Sequence, residues 1–166
     1  MSSTDVRWLD DVEMRAWLGL VQTLQLLPLA LDRQLRADAG IPHAYYTVLA
    51  MLSEAPDRSL RMSRLAALTA TSLSRLSHSV ARLEERGWVE RRACASDGRA
   101  AVAVLTDAGR SALEQAAPGH LAEVRRRVFD LLDRSQVEAL ADIATALSTG
   151  LTEQVCPTTR STPSSD

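Results

Sequence analysis

The chain has no lysine; it also has only two cysteines and no apolar run long enough to span a bilayer, and each of these last two shortages closes off a class of function. Cys94 and Cys156 stand far apart without a CxxC spacing, so neither a disulfide framework nor a zinc site is implied. His43, His78 and His120 are too scattered to define a metal site. The longest apolar stretch, Leu18 to Leu31, is broken by Gln22, Thr23, Gln25 and Pro28, and it falls short of the roughly 20 residues that a membrane helix needs. Acidic Asp10, Asp11 and Glu13 precede it where a secretory signal would carry positive charge, so a cytoplasmic protein with no membrane partner is expected. There is no G-x-S-x-G, no phosphate loop, no HExxH and no cysteine with an identifiable base. No catalytic residue, enzyme activity or cofactor is therefore expected.

What is present reads as one mainly α domain. The 166 residues are 46% hydrophobic, enough for a single core. Gly40 with Pro42, Pro56, Gly87, Gly98, Pro118 with Gly119, and Gly150 punctuate long stretches of Ala, Leu and Arg, which are good helix formers. All nineteen basic residues are arginine, which can favour bidentate phosphate or guanine contacts but more often reflects codon bias. The net charge of −2 speaks against nucleic acid, yet its distribution does not. Between Asp57 and Arg99 nine arginines stand against five carboxylates, a basic middle between acidic ends.

Trp17, Leu20, Leu24, Leu27, Leu31 and Leu35 recur at spacings of three and four, predicting a first helix from Val12 to Ala37 with a kink at Pro28. A second helix fits His43 to Glu54, with Tyr46, Leu49 and Ala50 inward, and a short third fits Met62 to Thr69. Ser72 is placed to N-cap a fourth, which ends at Arg86 before Gly87. Two short helices across a tight turn make a helix-turn-helix. The period then changes. Trp88 to Arg91 and Ala100 to Leu105 read as two strands of a hairpin turning at Asp97-Gly98. Thr106 caps a fifth helix that bends at Pro118-Gly119 and runs through Leu121, Val124, Val128 and Leu131. Ser135 and Glu138 have the spacing of a capping box for a sixth, whose stripe is Leu140, Ile143, Leu147 and Leu151. Residues 156–166 are polar and Pro-rich, the composition of a disordered tail.

On the fourth helix, 100° per residue puts Leu73, Leu76, Val80 and Leu83 on one face. The other face carries Ser74, Arg75, His78 and Arg82. Side chains near the N-terminus of a helix lying in a major groove reach base edges, so Ser74, Arg75 and His78 are candidate base readers. Ser72 and Arg82 lie nearer phosphates. An ordinary solvated helix face looks the same in isolation. The order of helix, tight turn, helix, basic strand, Asp-Gly-Arg loop and return strand favours the winged helix.

The stretch SLSRLSHSVARLEERGWVERR, followed by Ser96-Asp97-Gly98-Arg99 and by Val104-Leu105-Thr106-Asp107-Ala108-Gly109, resembles the MarR family of bacterial regulators. Arg82-Leu83-Glu84, Gly87, Arg91, Arg92, Asp97, Arg99, Leu105, Thr106 and Gly109 fall in the family register, and the likeness spans roughly Leu31 to Leu147. The resemblance implies a winged helix-turn-helix lobe at about 41–106 with a β-hairpin wing, and N- and C-terminal dimerisation helices at about 12–38 and 107–153. It implies a homodimer on a pseudo-palindromic operator, usually a repressor. Arg99 would enter the minor groove while Asp97 holds the wing loop, and Arg91 and Arg92 would join the DNA set. A small apolar or phenolic effector would lie in a crevice, for which Trp17, His43, Tyr45 and Tyr46 are candidates beside their ordinary role as core. Ala70-Thr71 departs from the family, where Gly is frequent before the recognition helix. The cysteine that the peroxide-sensing branch carries in its first helix has no counterpart. Two other readings stand beside this one: a helical dimeric interaction module that does not read DNA, and a thiol redox sensor using Cys94 next to Arg91 and Arg92.

Overall fold

Local hydrogen-bonding side chains set the starts of α1, α4, α5 and α6 in the computed structural model, which describes residues 6–94 and 97–155, with backbone alone for 94, 97–100 and 152–155. The described elements are α1 (Asp11–Ala39), α2 (His43–Ser53), β1 (Ser59–Arg61), α3 (Met62–Leu68), α4 (Leu73–Glu85), β2 (Val89–Cys94), β3 (Asp97–Leu105), α5 (Asp107–Arg127) and α6 (Arg134–Val155). They fall into two compact units, Met1–Val124 and Arg125–Asp166. None of the described helices is long and apolar enough to cross a membrane.

In the first unit Asp10 caps α1. Its carboxylate accepts the N–H groups of Val12 and Glu13 at 2.8 Å, and the Glu13 carboxylate accepts the Asp10 N–H at 2.9 Å. Gly40 ends the helix at φ 65°, a left-handed conformation suited to a residue without Cβ. Pro28 lies inside the uninterrupted helix. The first turn of α2 borrows its cap from α1, because Asp32 accepts the His43 N–H at 2.9 Å while also holding Arg36 at 2.6 Å. Those two donors, Arg36 first, keep the Asp32 carboxyl below its usual range.

The sheet has three antiparallel strands in the order β1-β3-β2, where the sequence pattern indicated a two-stranded hairpin. β1 pairs Ser59 with Val104 and Arg61 with Val102. At three residues it is too short to show a period of two, and it follows Asp57 and Arg58, both at positive φ. The strands and α2, α3 and α4 enclose one core, in which Leu49, Leu52, Leu65, Val80 and Leu83 are wholly buried. Each such side chain contributes roughly 1.5–3 kcal/mol by leaving water. Leu73, expected on this inner face, is 54% exposed because it stands in the first turn of α4, beyond the edge of the core.

α5 opens on Thr106, as its sequence indicates, and runs without interruption through Pro118. It stops at Arg127, short of the expected Leu131, and a 3-10 turn at Phe129–Leu131 follows. In the second unit the capping box of α6 is formed by Asp133 and Gln136, each accepting the other's N–H at 2.9 Å. Ser135 and Glu138, the expected pair, are already inside the helix, where the Ser135 hydroxyl donates to Asp133 at 2.7 Å. Asp133 competes better because its charged carboxylate accepts two bonds at once.

Candidate nucleic-acid interface

The two helices of the helix-turn-helix are joined by a turn built from backbone bonds. Thr71 N–H donates to the Ala66 carbonyl at 3.0 Å and Ala70 N–H to Ala67 at 3.2 Å. Closing that turn drives Ala70 to φ 48°. An alanine there bears a cost of about 1–2 kcal/mol that glycine avoids, against about 0.4–1 kcal/mol of extra chain entropy lost by glycine on folding. Ala70→Gly is therefore expected to leave stability unchanged or raise it by up to about 1.5 kcal/mol, read as a higher urea midpoint at constant m-value. A lowered midpoint would show that the turn carries no such strain.

Ser72 caps α4, accepting the Arg75 N–H at 3.3 Å. From this anchored start α4 turns Leu76, Val80 and Leu83 into the core and exposes Ser74, Arg75, His78 and Arg82. The outward face foreseen from the helical period is thus present. Among the described residues no polar group pairs with the side chains of Arg75 or His78, whereas Arg82 is tied to Glu85 at 2.8 Å.

The arginines of the hairpin differ more from expectation. Arg92 bonds Glu90 at 2.8 Å. Arg91 is turned onto α4, where its backbone N–H and its guanidinium both reach Glu84 and Nη1 meets Ser77 Oγ at 3.2 Å. A count of charges along the chain treats these cations as available, although each is partly neutralised within the lobe. Asp97, Gly98 and Arg99 lie on β3 by their backbone, with Asp97 opposite Cys94 in the register. The side chains of Asp97, Arg99 and Cys94 lie outside the described residues, as do Cys156 and the tail at 156–166.

The wing is attached to α5 by residues that the sequence showed only as a motif. Thr106 N–H donates to the Trp88 carbonyl at 3.1 Å, its hydroxyl donates to the Gly87 carbonyl at 2.7 Å, and the same oxygen accepts the Gly109 N–H at 3.0 Å. Gly109 packs against the Trp88 carbonyl so closely that a Cβ would overlap it.

The four aromatic and histidine candidates for a ligand site do not form one cluster: His43 and Tyr46 share His120, while Tyr45 faces Arg86 and Trp17 stands exposed on α1. Trp17 is 53% exposed on α1, fifteen residues before Asp32, which accepts the N–H of His43 at the start of α2; at 1.5 Å per residue that is about 22 Å along the axis. Tyr45 faces the Arg86 guanidinium at 5.9 Å, and Arg86 lies over the Trp88 ring at 4.9 Å. Tyr46 and His43, one turn apart on α2, both meet His120, with ring centres 4.2 and 5.8 Å away. Burial pushes the His43 and His120 pKa values down, and the neighbouring Asp32 partly opposes this at His43. His43 alone of the four lines a cavity of about 350 Å³, with Thr47, Thr69, Ala70, Leu76 and Ser79, between α2, the turn and α4.

Residues 39–100 match the sequence profile of the MarR family. The fold matches a MarR family transcriptional regulator of Streptomyces coelicolor, Sco3205, solved in complex with DNA, at a TM-score of 0.83 and 46% identity; the alignment covers 90% of this chain and 93% of that one. AbsC, another MarR family regulator of Streptomyces coelicolor, is 37% identical over 88% of this chain and 98% of its own, at a TM-score of 0.80. CouR of Rhodococcus jostii RHA1, solved with p-coumaroyl-CoA, shares the fold at 24% identity and a TM-score of 0.69, covering 83% and 92% of the two chains. No curated protein sequence matches the chain.

Proposed function

The chain belongs to the MarR family of transcriptional regulators, and from that membership we propose that it is a cytoplasmic homodimer that represses by binding a pseudo-palindromic operator and is released by a small molecule. The observation that carries the reading of DNA is α4 itself, capped at Ser72 and exposing Ser74, Arg75 and His78 in its first two turns. A major groove about 12 Å wide admits such a helix, and these residues can donate to or accept from base edges. Arg82 and Arg92 would contact phosphates, and the wing arginine Arg99, held by Asp97, would enter the minor groove, whose negative potential attracts a guanidinium.

The working division is a winged lobe at about 41–106 between dimerisation helices at about 12–38 and 107–153. Exposed apolar side chains support it. α1 leaves Trp17, Leu20 and Leu24 uncovered, and α6, in its own unit, leaves Leu140, Ile143, Leu147 and Leu151 uncovered. A second copy of the chain would bury both stripes, and two-fold symmetry would match two half-sites. An effector in the cavity beside His43 and the turn would bear directly on α4, shifting the population towards dimers whose recognition helices no longer fit both half-sites.

Selection from a random duplex library tests the function. The wild type is expected to enrich a symmetric site with half-sites about one helical turn, roughly 10 base pairs, apart. Enrichment of no sequence would remove DNA reading from the account. Leu24→Glu, which places a charge on the exposed stripe of α1, is expected to shift the sedimenting mass from a dimer towards the 18.1 kDa chain and to abolish tight binding. A wild type that sediments as a monomer would refute the dimer.

A further inference from the structure

Glu84 lies in the last turn of α4 and Arg91 is the third residue of β2, so their contact spans the joint between the recognition helix and the wing. One carboxylate oxygen accepts the Arg91 backbone N–H at 2.9 Å, and the other accepts Nε and Nη2, each at 2.6 Å. The third guanidinium nitrogen, Nη1, reaches back to Ser77 Oγ, two helical turns before Glu84, at 3.2 Å. Both charged side chains are about one-third exposed, at 34% and 30%. A surface ion pair of this kind adds little to stability, and β2 is already held by the buried Val89 and by its ladder with β3. What the contact adds is direction. Bonds from a planar guanidinium together with a backbone amide fix the angle of β2 against α4, which a single-point contact could not.

Charge makes the same point. A carboxylate in a lobe that approaches phosphates opposes binding, and this one also occupies an arginine that would otherwise be available for DNA. We propose that Glu84 is a positioning residue for DNA recognition: it sets the wing relative to the recognition helix, and Arg91 serves that joint and not a phosphate. This rests on the DNA-reading function proposed above and names a determinant of its specificity.

The test uses the full chain and two duplexes, a site enriched by the wild type from a random library and a scrambled version of it, each titrated across salt. Glu84→Gln is expected to bind the scrambled duplex at least as tightly as wild type, since a negative charge is gone, yet to lose about tenfold of its preference for the enriched site, within the range for residues of one network. Arg91→Ala and Arg91→Lys are both expected to lose the preference, and the Glu84→Gln/Arg91→Ala double variant to lose no more than either single one. Lysine keeps the charge but not the planar fork, so a lysine variant with normal preference would overturn the proposal. So would an Arg91→Ala salt slope reduced by roughly 0.9 per half-site, the signature of one lost phosphate contact in each protomer. A Glu84→Gln protein that binds both duplexes more tightly with its preference intact would overturn it as well. If the wild type enriches no site, the DNA-reading function fails and the proposal with it; if it does and only the variants behave like wild type, the proposal alone falls.

Discussion

Gly109→Ala is expected to lower the free energy of unfolding by about 3 kcal/mol, the upper part of the range for forcing an atom into a closed site. A Cβ at this position would overlap the Trp88 carbonyl oxygen and would lie 2.8 Å from Leu105 Cδ1. The carbonyl cannot simply move aside, because it accepts the Thr106 N–H at 3.1 Å and belongs to the residue that leads into β2. Either that bond is lost or the first turn of α5 shifts away from the wing. Gly119, further along the same helix, provides the contrast. A Cβ there meets the end of the Gln34 side chain at 3.1 Å, a group that can rotate, so Gly119→Ala should stay within about 1 kcal/mol of wild type. Urea denaturation of the two variants measures the difference directly. Equal midpoints would mean that the approach of α5 to Trp88 is not a constraint on the fold.

The second large effect falls on binding. Arg75→Ala should cost roughly 1–3 kcal/mol per half-site on the operator and relax the base preference at one position in each, because an exposed guanidinium in the first turn of the capped recognition helix is placed to read a base edge. The comparison is Arg92→Ala. Arg92 stands on β2 and is already paired with Glu90, so in a complex it would exchange a carboxylate for a phosphate. Its loss should weaken operator and scrambled DNA alike and reduce the salt slope by at most roughly 0.9 per half-site. Competition titrations against single-base variants of the enriched site separate the two patterns. If Arg75→Ala weakens every duplex by the same factor, Arg75 positions the protein on the backbone and the reading face has been assigned to the wrong side chain.

Much of this architecture follows from the sequence because its determinants act over three or four residues. Ser72 with Arg75 and Thr106 with Gly109 are contacts between near neighbours, so the starts of α4 and α5 are legible. The outward face of α4 is legible for the same reason: the helical period alone places Arg75 and His78 opposite Leu76, Val80 and Leu83. Even here a local competitor can mislead, as at α6, where Asp133 takes the cap from Ser135.

Which arginines remain available to a partner depends instead on residues that the fold brings together. Glu84 and Arg91 meet because the chain reverses at Gly87, and Arg58 meets Asp107 across 49 positions because β1 joins β3. The ladder that adds β1 to the sheet, the closeness of Gly109 to Trp88 and the separation of Trp17 from His43 have the same origin. A charge or a ring in the sequence states what a residue can bind. Its partner is decided by which surfaces the core draws together, and hydrophobic burial, being non-directional, leaves no residue-by-residue record of that choice in the chain.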